Sequence, residues 1–89
     1  MAELIHQFPE PVRSADGVPY VVQAWADSNG RWHGWLVFIA ADGRMLRTRR
    51  SSACASRDAV RTWARGLQSS DLGAALAHAV PPSAELPAA

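Results

Sequence analysis

The chain has no lysine, one cysteine and no apolar run approaching the roughly 18 residues that a membrane-spanning helix needs. Each shortage excludes something. A lone thiol, Cys54, has no second cysteine for an intrachain disulfide, which fits a reducing cytosol better than an oxidising compartment. Residues 1–8 carry neither a positive leading region nor a long apolar stretch, so no secretory signal is expected and a cytoplasmic location is. CxxC and HxxxH spacings are missing, and His6, His33 and His78 fall far apart, so no metal site is expected. Gly66 and Gly73 are isolated and the other glycines sit near turn signals, which leaves no phosphate-cradling loop. There is no internal repeat, and 89 residues leave room for one small domain.

What is present is unevenly placed. All nine basic residues are arginine. Seven of them lie between Arg44 and Arg65, opposed there only by Asp58, so that segment carries 7 − 1 = +6. Arg13 and Arg31 face the remaining seven acids, giving 2 − 7 = −5, and the two parts nearly cancel to the net +1. A concentrated basic segment attracts phosphates or acidic protein surfaces. The plainer explanation is a solvated basic face, since arginine without lysine beside seventeen alanines is what GC-rich coding produces.

The order of elements follows from turn chemistry and periodicity. Residues 1–11 read as an arm: Leu4, Ile5 and Phe8 are apolar, but Pro9 and Pro11 oppose a regular strand or helix. Asp16-Gly17, Asn29-Gly30 and Asp42-Gly43 are turn signals, because glycine tolerates the positive φ that tight hairpins require. Between them, strands are predicted over 19–26, 31–40 and 44–51, with Tyr20, Val22, Ala24 and Ala26 on one face of the first and Val21, Gln23 and Trp25 on the other. The central strand is apolar on both faces, with Leu36 and Phe38 on one and Trp35, Val37 and Ile39 on the other. Ser56 is a suitable N-cap, and Val60, Trp63, Ala64 and Leu67 form a helical stripe after it. Arg57, Arg61 and Arg65 make a basic line along the same helix. A second helix starts at Ser69-Ser70, carries Leu72, Ala75, Leu76, Ala79 and Val80, and ends at Pro81-Pro82. The expected fold class is α+β: a three-stranded antiparallel β-meander followed by two short C-terminal helices packed on one sheet face. The arm (1–11) precedes a single domain (12–80), and a Pro/Ala-rich disordered tail (81–89) follows it.

Catalysis finds little material. Asp16, Asp27 and Asp42 belong to turns, Asp58 and Asp71 to first helical turns, and Glu3, Glu10 and Glu85 to arms or tails. No carboxylate falls inside a strand or on an apolar helical face, so paired-carboxylate chemistry lacks support. Cys54 lies near a helix start, where a thiolate is favoured, but no sequence spacing brings a histidine to it. No catalytic residue and no cofactor are therefore assigned, and the chain is expected not to be an enzyme.

Two interaction surfaces remain. Helices on one side of the sheet leave the face of Trp25, Trp35, Val37 and Ile39 to be covered by the arm, a second copy or a protein partner, and four tryptophans suit an interface. Alternatively, if the end of the third strand adjoins the start of the helix, Arg47, Arg49, Arg50, Arg57, Arg61 and Arg65 line one surface able to pair with a nucleic-acid backbone or an acidic partner. No helix-turn-helix, zinc-finger or RNP-type signature accompanies those arginines.

The run Trp32-His33-Gly34-Trp35-Leu36-Val37-Phe38, followed by Asp42-Gly43-Arg44, Leu46-Arg47-Thr48-Arg49, Ser56-Arg57 and Trp63-Ala64-Arg65-Gly66-Leu67, resembles an uncharacterised family of small bacterial proteins over residues 20–80. That resemblance implies no activity, ligand or catalytic residue. The strand-strand-strand-helix order is also similar to the partial double-stranded-RNA-binding-like fold of HicB-type antitoxins. The likeness is one of topology, and the chain lacks both the DNA-binding module those antitoxins often carry and the first helix of a complete double-stranded-RNA-binding domain. The expectation is a cytoplasmic, non-enzymatic module that self-associates or binds a protein through the outer sheet face, with phosphate-backbone binding by the arginines as the alternative.

Overall fold

The computed structural model describes residues 2–49 and 55–81. Its elements run β1 (Glu3–Gln7), β2 (Val12–Arg13), β3 (Pro19–Asn29), β4 (Arg31–Ala40), β5 (Met45–Arg47), α1 (Arg57–Arg65) and α2 (Ser69–His78). The class is α+β, with five strands in one antiparallel sheet and two helices. The expected meander forms its body as β3–β4–β5. Gly17, Gly30 and Gly43, the glycine of each predicted turn, all have φ between 84° and 90°, the left-handed region that side chains with a Cβ avoid.

Three expectations about the strands need correction. The segment read as an arm joins the sheet: β1 and β2 both pair with β3, at its two ends. Pro9 and Pro11 do not prevent this, because they occupy the break between the two short strands, where no ladder donor is needed. β3 runs on past Ala26 to Asn29 because the β3–β4 hairpin closes tightly around Gly30. β5 is shorter than the predicted 44–51: beyond Arg47, the hydroxyl of Thr48 accepts the hydrogen bond of Leu36 N–H at 2.9 Å, and a side chain replaces the strand's carbonyl in the ladder. The predicted tail from residue 82 onward, Arg50 and Cys54 lie outside the described residues.

Register fixes what each face carries. Tyr20, Val22, Ala24 and Ala26 of β3 stand opposite Ala40, Phe38, Leu36 and Gly34 of β4, and Leu46 of β5 stands opposite Phe38. This inner face forms the core with Ile5 and Phe8, and with Val60 and Ala64 of α1 and Leu72 and Leu76 of α2. Both helices therefore cover the same face. Ile5 enters the core because a bulge between Leu4 and His6 adds a residue to β1. Gly34 sets the approach of α1: a Cβ there would stand 2.6 Å from Val60 Cγ1 and 2.9 Å from Trp63 Cζ3.

α1 begins where its capping residue predicts. Ser56 Oγ accepts from Ala59 N–H at 3.1 Å, and Asp58 sits in the first turn. The cap of α2 is Gln68, one residue before the expected serines, and its N–H donates to the Asp71 carboxylate at 2.9 Å. α2 stops at His78, short of the expected end at Pro81-Pro82: Ala79 turns extended, and Val80 leaves the helical stripe to pair with Arg47 in an isolated antiparallel bridge. Among the described residues, no helix is long and apolar enough to cross a membrane.

Candidate interaction surface

The face opposite the helices is built from the alternate residues of the same strands. Val21, Gln23, Trp25 and Asp27 of β3 stand opposite Ile39, Val37, Trp35 and His33 of β4. Met45 and Arg47 of β5 stand opposite Ile39 and Val37, and Leu4 of β1 opposite Trp25. The register thus brings Trp25, Trp35, Val37 and Ile39 together on one face.

Their exposures differ. Trp35 and Val37, at the centre, are 6% and 7% exposed, although neither belongs to the helix-side core. The Arg47 guanidinium lies over the Trp35 ring, 5.1 Å from its centroid, a cation–π arrangement that lays the arginine along the sheet. Trp25 is half-buried, and its Nε1–H donates to Gln23 Oε1 at 3.0 Å, which ties the indole to its neighbour two residues back on the same strand. Ile39 is half-buried.

The exposed apolar side chains lie around this centre. Among the described residues, the large hydrophobic side chains with the greatest exposure are Leu4 (41%), Val21 (43%), Met45 (45%) and Val80 (37%). Pairing places all four on the outer face: Leu4 beside Trp25, Val21 and Met45 on either side of Ile39, and Val80 beside Arg47. Among the described residues of the arm, Ile5 and Phe8 do not cover this face, as one of the alternatives required. Ile5 and Phe8 turn into the helix-side core, while Leu4 adds to the apolar surface. Sequence reasoning missed Leu4, Met45 and Val80 as members of the face. Met45 was legible from its alternation with Leu46, but the other two depend on pairings distant in the chain.

Among the described residues, the arginines of the basic segment do not all lie on one side of the sheet. Arg47 is on the outer face, whereas α1 lies over Gly34 on the inner one, so the sheet separates Arg47 from Arg57, Arg61 and Arg65. Arg57 reaches instead to β1, where its Nε is 2.7 Å from Glu3 Oε1. That hydrogen bond and the carboxylate's charge hold the guanidinium even more firmly protonated than usual. Arg61 is half-buried, while Arg65 and Arg49 are exposed. Arg44 pairs locally with Asp42 at 2.8 Å.

Among the described residues, chemically reactive groupings are sparse. No set of three His, Cys, Asp or Glu residues able to hold a metal ion occurs among the described residues. His6 packs edge-on against Phe8 with ring centroids 4.6 Å apart. A groove of about 340 Å³ lies between Arg13, Leu46, Gly73 and Leu76, and among the described residues of its lining Arg13 is the one titratable side chain. Compared with protein-family models, with curated proteins and with solved structures, the chain finds no match in any of the three.

Proposed function

We propose that this chain is a non-enzymatic interaction module that docks through its outer sheet face. The observation that supports this reading is the placement of Leu4, Val21, Met45 and Val80, the most exposed large hydrophobic side chains described, all on the face that the helices leave uncovered. A small domain rarely gathers its exposed apolar side chains on one side without a partner for them, because dispersed placement carries no aggregation hazard. Among the polar residues of this face, Gln7 and Gln23 are uncharged, and Asp27, Arg31 and Arg47 carry charge around the apolar centre.

Photo-crosslinking tests the reading. The amino acid p-benzoylphenylalanine is placed at Val21 on the outer face and, as a control, at Arg65 on α1, in cells expressing the chain. An adduct of defined mass from position 21 and none from position 65 is the expected result. Position 21 giving no adduct, or both positions giving the same one, overturns it.

A further inference from the structure

The geometry points to the occupant of the outer face: an amphipathic α-helix of a partner protein, about two to three turns long, with acidic side chains flanking its apolar stripe. This inference rests on the reading of the outer face as a docking surface and names its partner. Size, edges and charge each argue for it.

The apolar patch has the dimensions of one helix. It runs along β3 from Val21 to Trp25 and across the sheet from Leu4 of β1 to Met45 of β5. At about 3.3 Å per residue and about 4.8 Å between strands, that is about 13 Å along the strands and about 14 Å across them. A helix with its side chains is about 10–12 Å wide and rises about 5.4 Å per turn, so two to three turns fill the patch. The footprint, on the order of 200 Å², falls well short of the roughly 800 Å² per partner that a stable interface between two folded proteins takes. Exposure follows the same outline. Trp35 and Val37 form a floor at 6% and 7%, while Leu4, Val21 and Met45 stand around it at 41%, 43% and 45%.

An extended segment binds a sheet by adding a strand at its edge, and both edges are blunted. On the β1 side, the bulge between Leu4 and His6 and the prolines at 9 and 11 interrupt the ladder that an added strand needs. On the β5 side, Val80 exchanges both backbone hydrogen bonds with Arg47, at 2.8 and 3.0 Å. A helix satisfies its own backbone and needs only the face.

Charge selects the sign of the flanks. Among the described residues of this face, Arg31 and Arg47 stand against Asp27, so the face is net basic. The Arg47 guanidinium lies over the Trp35 ring, which holds its charge at the centre of the patch. Arg31 is exposed at the hairpin end of β4. Glutamates beside the apolar stripe of a docked helix are drawn to both cations, whereas lysines in the same places are repelled.

Fluorescence anisotropy with two labelled peptides tests the inference on the full chain. Both peptides are about 14 residues long, stapled to stay helical, and carry leucine at i, i+3, i+4 and i+7 on an alanine background. One has glutamate on its flanks and the other lysine. The expected result is saturable binding of the glutamate peptide, at least tenfold tighter than the lysine peptide and weakened by salt. The double variant Val21→Glu, Met45→Glu should lose that binding and keep its circular dichroism, because both side chains are exposed. Arg31→Glu should narrow the preference for the glutamate peptide several-fold, and it decides alone if the double variant does not fold. No saturable binding of the glutamate peptide, equal binding of the two peptides, or binding unchanged in the folded variants overturns the acidic helix. So does a monomer–dimer equilibrium in sedimentation that the double variant abolishes, which gives the face to a second copy. Crosslinking at position 21 keeps this failure apart from that of the docking reading: an adduct there with another partner leaves the docking face standing, and no adduct removes both.

Discussion

At the scale of single residues, two glycines give opposite predictions from their surroundings. The inner-face Gly34 has no room for a methyl group, since its Cβ would fall within 3 Å of both Val60 and Trp63. Gly34→Ala must push α1 away from the sheet and should cost about 1–3 kcal/mol, as overpacking does. Gly73 lies inside α2, where an added Cβ meets nothing within 4 Å. Gly73→Ala should stabilise the chain by about 0.5–1 kcal/mol through helix propensity. Urea unfolding of the two variants checks both, and a common sign would mean that α1 does not pack as closely as described. Acid sensitivity is also decided residue by residue. The Arg44 backbone N–H, helped by the Arg44 guanidinium, holds the Asp42 carboxyl below its ordinary value, and Ser14 does the same for Asp16. Each group binds its proton less tightly folded than unfolded. The stability it contributes is fully present above the ordinary carboxylate value of about 3.9 and is lost as pH falls through the lower folded value. Thermal midpoints measured from pH 6 to pH 2 should therefore decline below about pH 4. Asp42→Asn should make that decline shallower without removing it, because Asp16 still titrates.

At the scale of elements, local chemistry was legible and pairing was not. The three glycine turns, the strand Arg31–Ala40 and the Ser56 cap all rest on neighbouring residues, and each appears where the sequence places it. The stripe Val60, Trp63, Ala64 and Leu67 likewise faces the core. β1 escaped because prolines at 9 and 11 argue against a continuous strand, while its hydrogen bonds come from β3, some 20 residues away. The interruption at residues 8–11 is what lets two short strands share one partner. Residues 44–51 alternate well enough for a long strand, and only the approach of Thr48 to Leu36 shows where pairing stops being regular. The helix cap yields its own prediction. Ser56→Ala removes the acceptor for Ala59 N–H and should lower stability by about 1 kcal/mol, whereas Ser56→Asp, which keeps an acceptor and favours the helix dipole, should restore it. Thermal unfolding of the pair distinguishes lost capping, which aspartate rescues, from lost packing, which it does not.

At the scale of the whole molecule, the order of the sheet divides the positive charge. Read along the chain, seven arginines between residues 44 and 65 form one basic segment. Folded, the segment leads from the edge strand β5 to a helix on the opposite face, so Arg47 stands on one side of the sheet and Arg57, Arg61 and Arg65 belong to the other. Sequence order supplies the density of charge but not its direction, because direction depends on which face the helices cover. A phosphate backbone laid along α1 meets Arg57, Arg61 and Arg65, and Arg57 is already engaged with Glu3. Releasing counterions from three phosphates gives a slope of log affinity against log salt no steeper than about −0.9 × 3 ≈ −2.7 on duplex DNA, and about −2 on a single strand. Titrating fluorescent random oligonucleotides across a salt series should therefore yield weak binding with a shallow slope, abolished by Arg57→Glu with Arg61→Glu. A slope near −4 or steeper on duplex DNA requires at least four phosphate contacts and hence cations beyond the α1 line. In that case Arg47→Ala separates the two geometries. If the sheet keeps the two sets apart, the variant leaves the slope unchanged; if the ligand wraps the β5 edge to reach both, the slope falls by about one phosphate's worth, and the charged surface then extends around the molecule instead of along one helix.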